Sequence, residues 1–225
     1  MTMWEDDAVS TPTRTDARRA RTRAALVLAA QKLLAEGRTN IPVLEITQLA
    51  DVGLGSFYNH FTDKDELFGA AVDDALERFG GILDLLSDHE DPAVVFAQSL
   101  RLTGRLCRKE PELTRVLVNR GLDVTLADHG LAPRALRDIE AGIRVGRFRR
   151  TDTRIALALV AGGVLAVAAL LDADPTRDAG DAADVFAVDI LCMLGIPESE
   201  ATEICGLPLP DVDGTAGSVI ASADG

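Results

Sequence analysis

The chain is short of aromatic residues, of cysteine and of any excess of basic charge, and each shortage narrows what it can be. Aromatics make up 4% of the 225 residues while 47% are hydrophobic, so a core must be built mainly from Ala, Leu and Val. That composition suffices for one large domain or two small ones and is far from a disordered one. Runs of β-branched residues are few, and the richness in Ala, Leu, Arg and Glu predicts an all-α fold. The three cysteines, Cys107, Cys192 and Cys205, are odd in number and widely spaced. They read as reduced thiols of a cytoplasmic protein. Cys192 and Cys205 stay open to two readings, packing as small hydrophobes or a redox-sensing role. The opening MTMWEDD is acidic with no apolar segment behind it, so no signal peptide is expected.

Catalytic and metal signatures are missing as well. There is no Gly-rich phosphate loop, nucleophile elbow or paired-carboxylate signature, and no H-x-x-H or C-x-x-C spacing. His89 stands among Asp88, Glu90 and Asp91, and His129 follows Asp128. Neighbouring loop side chains do not converge easily on one cation. The expectation is no metal, no cofactor and no enzymatic activity. No internal repeat is visible.

A net charge of −13 argues against a nucleic-acid partner until its distribution is considered. Residues 1–13 carry three acids and no base, and residues 65–225 carry fifteen basic against twenty-eight acidic side chains. Between them, residues 14–64 carry eight Lys or Arg against five acids. A locally basic head on an acidic body points to DNA contact at one end. Four of the arginines, Arg18, Arg19, Arg21 and Arg23, open the first predicted helix, about Ala17 to Ala35, capped by Asp16 and ended at Gly37. Positive charge there opposes the helix dipole. The cluster is either a solvated face or a seat for an external anion.

The stretch LEITQLADVGLGSFYNHFTDK, Leu44 to Lys64, organises the rest. A helix of about Pro42 to Ala50, with Leu44, Ile46, Leu49 and Ala50 as its apolar stripe, meets a break at Asp51-Val52-Gly53. Pro42 suits a first helical position. Asp51 sits where the reversal calls for a left-handed residue, which Asp tolerates better than most. A third helix, about Gly55 to Phe61, follows. A fourth, with Thr62 or Asp63 as cap and Glu66 completing a capping box, reaches Phe79 before Gly80-Gly81 kinks or stops it. This is the grammar of a helix-turn-helix.

Later segments read as follows. Asp84 to Asp91 is acidic and frays. Helices are predicted over about Pro92–Lys109, over Pro111 to Gly121, over Arg134–Val145 after a loop from Asp128 to Pro133, and over Ala182–Leu194. Glu198 to Cys205 supplies a last turn or two. Ile155 to Leu171 is seventeen residues without a polar side chain, capped by Asp152 or Thr153. It is slightly short for a bilayer and lacks an aromatic belt. Burial within its own fold is the other reading.

The run Ile46, Ala50, Val52, Gly55, Ser56, Phe57-Tyr58, His60-Phe61, Lys64 and Leu67 resembles the DNA-binding domain of the tetracycline-repressor (TetR) family of bacterial regulators. The resemblance is sharp over about residues 16–70, and beyond them only helix order and length match. It implies an N-terminal three-helix DNA-binding domain over 15–64 and a C-terminal helical ligand-binding and dimerisation domain over 65–206. Tails over 1–14 and 207–225 are expected to be disordered. Leu54, Gly55, Ser56 and Asn59 would face the major groove, with readout leaning on Ser56, Asn59 and Gln48, and Tyr58, His60 and Lys64 would hold phosphates. Arg18 and Arg19 are further DNA-binding candidates. Gly53 stands where the family often has a capping Ser, so the recognition helix is expected to be capped by backbone alone.

For the body, the resemblance implies a homodimer through Ile155–Leu171 and Ala182–Leu194. Gly162, Gly163, Ala166 and Ala169 would allow the helices to approach closely. Helices at about Leu67–Phe79, Val94–Leu106, Leu113–Leu122 and Ala135–Ile143 would enclose a small apolar effector, with Phe96, Leu100, Thr103, Leu117 and Asn119 lining it. The expected protein is a cytoplasmic, ligand-responsive transcriptional regulator, a repressor of a roughly palindromic operator, with no membrane segment. A helical ligand-binding or interaction protein without DNA binding is the rival reading.

Overall fold

The computed structural model describes residues 13–86, 89–121 and 128–210. Among these residues the fold is all-α. The helices are α1 (Arg14–Ala35), α2 (Val43–Leu49), α3 (Leu54–Tyr58), α4 (Lys64–Leu86), α5 (Pro92–Lys109), α6 (Pro111–Arg120), α7 (Leu131–Arg144), α8 (Thr153–Ala173), α9 (Ala179–Met193) and α10 (Glu198–Gly206). Of the tails expected over 1–14 and 207–225, residues 1–12 and 211–225 lie outside the described residues, as do Asp88 and Leu122.

Several boundaries move for local chemical reasons. α1 starts at Arg14, because Thr13 rather than Asp16 is its cap. The Thr13 hydroxyl accepts from the Asp16 N–H, and the Asp16 carboxylate accepts from Thr13 N–H in return. Thr13 and Arg14 therefore belong to a helix, not to a tail. Pro42 is the cap of α2, in extended backbone, rather than its first residue. The box at the start of α4 is split: Asp63 accepts from Glu66 N–H, and Glu66 reaches back to the backbone and hydroxyl of Thr62. α4 does not stop at Gly80-Gly81 but continues to Leu86. Asp84 does not fray, because Arg134 and Arg137 of α7 hold its carboxylate. α7 begins three residues before the expected Arg134, which brings Pro133 into its first turn. α9 likewise starts at Ala179, capped by Asp178, which accepts from Asp181 N–H.

Two large apolar cores result among the described residues, beside two smaller clusters. One joins α1 to α4 and α6, through Leu26, Leu33, Ile46, Phe57, Phe61, Leu67 and Leu113. The other joins α5 and α7 to α10, through Phe96, Ile139, Val160, Ala187 and Leu191. Gln31 is the buried polar exception between α1 and α4. Its amide donates to the Ala71 carbonyl and to the Asp74 carboxylate, so it locks the two helices in register. Gly163 is not free for a second subunit: a Cβ there would lie 2.5 Å from the Phe186 ring of α9. Its small size serves packing within the chain.

Arg101 of α5 is almost wholly buried and donates to Asp184 of α9 at 2.8 Å and to the Leu207 carbonyl at 2.7 Å. Arg105 shares the same carboxylate. Burial raises the Asp184 carboxyl, but hydrogen bonds from Arg105 and Arg101 outweigh it and hold the group below the usual carboxylate range. Replacing Asp184 with Ala strands a buried guanidinium. Denaturant unfolding should show a loss of about 2 kcal/mol.

Candidate nucleic-acid interface and internal cavity

The helix-turn-helix is positioned by its aromatic residues. Phe57 is completely buried, and its ring meets Tyr58 edge-on at 5.2 Å and Phe61 at 5.9 Å. That stack fixes α3 against α1 and α4 and turns Tyr58 outward, 59% exposed. Asp51 takes φ 53°, the left-handed residue the turn requires. Gly53 is the N-cap of α3 and supplies no side-chain hydrogen bond.

The predicted contact residues are placed as follows. Gln48, Leu54, Gly55, Tyr58 and Asn59 are exposed, and Ser56 and His60 are half-buried. Lys64 Nζ donates to Asn40 Oδ1 at 3.3 Å, which holds the ammonium at the start of α4. Leu44 and Leu49, expected to form the apolar stripe of α2, are exposed instead; the buried pair is Ile46 and Thr47. Thr47 can sit inside because its hydroxyl donates to the Leu44 carbonyl.

The arginines of α1 converge on this head. Arg23 stacks over the Phe61 ring, 5.3 Å from its centroid. Burial first, then the charges of Arg19 and Arg23, push the His60 imidazole below its ordinary pKa. Arg19 and Arg23 thus make the surroundings of His60 electropositive. Arg18 is exposed on the same helix end. Asp16 lies near Arg19 and Glu66 near Arg23, so the group is partly balanced, but both arginines are exposed and open to an anion from outside.

A cavity of about 90 Å³ lies where α4 to α8 meet. That is room for on the order of six to nine water-sized groups, or one small ring. Leu76, Leu83, Phe96, Leu100, Leu117 and Val160 give it apolar walls. Phe96, Leu100, Thr103 and Leu117 line it; Asn119 does not, because it lies on the exposed outer side of α6. The Thr103 and Thr114 hydroxyls point polar atoms at the cavity, but both are engaged by backbone carbonyls, of Ser99 at 2.7 Å and of Cys107 at 2.9 Å. The Cys107 thiol is likewise bonded to the Thr103 carbonyl, and burial pushes it up to about 11, so it is an inert wall.

The polar end of the cavity is a set of charges absent from the sequence-based expectation. Asp84 of α4 meets Arg134, Arg137 and Asp138 of α7 there. Arg134 Nε donates to Asp84 at 2.7 Å, Arg137 contacts Asp84 at 3.0 Å, and Arg137 Nε donates to Asp138 at 3.0 Å. Burial raises the Asp138 carboxyl above its ordinary range, against the opposing pull of Arg137. Asp84, Arg137 and Asp138 also line an open cleft of about 380 Å³ with His89, Val95 and Ala141. They therefore stand between the cavity and the outside. The signal was present in the sequence: Arg134, Arg137 and Asp138 fall at i, i+3 and i+4 on an amphipathic helix, and so share a face. Among the described residues, no group of three His, Cys, Asp or Glu side chains is placed to hold a metal ion.

α8 carries an uncovered apolar stripe. Ile155, Leu159, Ala166 and Leu170 are exposed on one side of it, and Val185 is exposed on α9. Among the described residues α8 is the one helix long and apolar enough to cross a membrane. Its inner face, however, is committed to the core through Ala156, Val160 and Ala168.

Residues 91–206 match the model of the tetracyclin repressor-like C-terminal domain. The chain is similar to RolR, solved with its ligand resorcinol: 34% identity, 87% of this chain and 98% of that one covered, TM-score 0.70. Ligand-free RolR gives 34% identity, coverage of 84% and 98%, and TM-score 0.75. The fatty acid degradation regulator FadR from Bacillus halodurans shares the fold at 18% identity, covering 76% and 94%, with TM-score 0.60. No curated protein matches the sequence significantly.

Proposed function

The chain belongs to the tetracycline-repressor family of transcriptional regulators, and from that membership we propose a cytoplasmic repressor that leaves its operator on binding a small hydroxylated aromatic molecule. The observation that carries this reading is α4. It begins at the last residue of the helix-turn-helix and forms a wall of the cavity with Leu76, Leu83 and Asp84. A ligand inside and DNA outside therefore bear on one helix, and each biases the other through its preference among that helix's arrangements. No catalytic step is assigned.

The division of labour follows. Residues 15–64 form the DNA-binding head and 65–206 the ligand-binding and dimerising body. Tyr58, His60, Lys64, Arg18 and Arg19 hold phosphates, and Gln48, Ser56 and Asn59 carry base readout. Leu54 and Gly55 offer base edges little beyond contact, so DNA shape contributes. The dimer forms through Ile155–Leu171 and Ala182–Leu194. The effector is a small ring: the leucines and Phe96 take its faces, and Asp84, Arg134, Arg137 and Asp138 take its hydroxyls. Resorcinol, the ligand of RolR, has this chemistry and serves as the probe.

The test uses DNA selected from a random pool by the wild-type protein. Binding should weaken steeply with salt, and resorcinol should release the DNA. No retardation at low salt would leave the rival, a ligand-binding protein without DNA. Tyr58→Ala should weaken binding to all sequences alike by about 1 kcal/mol, while Asn59→Ala should change which sequences are selected. DNA binding should also tighten as pH falls from about 8 to about 6. His60, held neutral in the free protein, takes up a proton beside phosphate. His60→Gln should flatten that dependence in a fluorescence-anisotropy titration.

A further inference from the structure

Gly80 and Gly81 sit in the last third of α4, between cavity-lining Leu76 and Leu83, in a helix that nonetheless continues for five more residues. Two adjacent glycines are a weak point, since they give the least conformational restraint and the poorest helix propensity short of proline. One side chain spans that point. Arg134 of α7 lies directly over Gly80, where a Cβ would come within 2.6 Å of its Nη1. Its Nη2 donates to Glu77 at 2.9 Å on one side of the pair, and its Nε donates to Asp84 at 2.7 Å on the other. Nη1 is tied to the Gly130 carbonyl at 2.6 Å, and Glu77 also accepts from Gly130 N–H at 2.7 Å. The guanidinium is thus anchored to α7 and grips α4 three residues before and four residues after the first glycine.

We propose that Arg134 is a staple across a glycine hinge in α4, and that effector binding opens the hinge by drawing Arg134 and Asp84 apart. The inference rests on the function proposed above and assigns the regulatory coupling to named atoms. Arg134 and Asp84 line the cavity, whereas Glu77 does not. A ligand hydroxyl seated among Asp84, Arg134 and Arg137 replaces both ion pairs of Asp84 with hydrogen bonds of its own. The outer half of the staple is then lost, and α4 is free to bend at the glycines. A comparable pairing nearer the head, Arg120 on the Gly69 carbonyl and Asp73, leaves no such opening. It brackets a single glycine and is tied to the helix backbone itself.

Two variants separate hinge from cavity. Glu77→Gln weakens the staple without touching the lining. Gly81→Ala stiffens the hinge, and its added Cβ meets nothing within 4 Å. Hydrogen exchange of the α4 amides, measured on the full chain without DNA or ligand, should be about two- to fivefold faster near residues 80–84 in Glu77→Gln and slower by a similar factor in Gly81→Ala. The resorcinol concentration that half-releases selected DNA should fall two- to fivefold in the first and rise by about as much in the second. Wild-type exchange and wild-type release in both variants overturn the staple. If resorcinol fails to release the wild-type protein, the effector reading is what falls, and the exchange rates decide the hinge by themselves.

Discussion

Leu159→Glu is expected to give a folded monomer that no longer holds its operator. Leu159 is 54% exposed in the single chain, so a carboxylate there meets water and leaves the fold intact. It lies in the middle of the stripe formed by Ile155, Ala166 and Leu170. In a two-fold interface each residue meets its own copy or a near neighbour, so one substitution places two like charges in a closing apolar surface. Sedimentation should shift from dimer to monomer at micromolar concentration. DNA affinity should drop on the order of 100- to 10,000-fold, because two linked heads become one. Resorcinol binding inside the chain should persist. A variant that still sediments as a dimer would place the interface elsewhere.

Phe57→Ala should cost about 3–5 kcal/mol, the range for deleting a large buried ring. The ring is the support for α3, a helix of five residues with no side-chain cap. So short a helix has little stability of its own and depends on packing. The recognition helix should melt with the cavity still intact. The readouts are loss of retardation at every salt concentration, with resorcinol binding retained by calorimetry. If Phe57→Ala binds selected DNA normally, the aromatic stack does not hold the head.

Both experiments probe features of unequal visibility in the sequence. The helix-turn-helix was legible because its signals are local: Asp51 in the turn, the bare Gly53 cap, and the Phe57-Tyr58 and His60-Phe61 pairs. The apolar run of α8 was legible by composition alone. The polar end of the cavity was not. Asp84 looked like part of a fraying acidic segment, because its partners lie about fifty residues away on α7. Gly80-Gly81 reads as a kink or a stop for the same reason: only the distant Arg134 shows what holds the helix as it carries on. Gly163 was assigned to a subunit interface, but the neighbour that needs its missing side chain is Phe186 of the same chain. Periodicity places a residue on a face and leaves open which partner that face meets. Asn119 illustrates the limit, one step round α6 from Leu117 and Val118 and already in solvent.

The exposed stripe on α8 has a consequence for dosage. A chain that binds its operator only as a pair is scarce in its active form when total chains are few, since pairs accumulate with the square of chain number. Halving the protein then removes about three quarters of the occupied-ready species. A promoter under such control responds to small changes in the regulator's own abundance more sharply than a single-headed binder would allow. The apolar patch that looks like a liability on the lone chain sets that threshold.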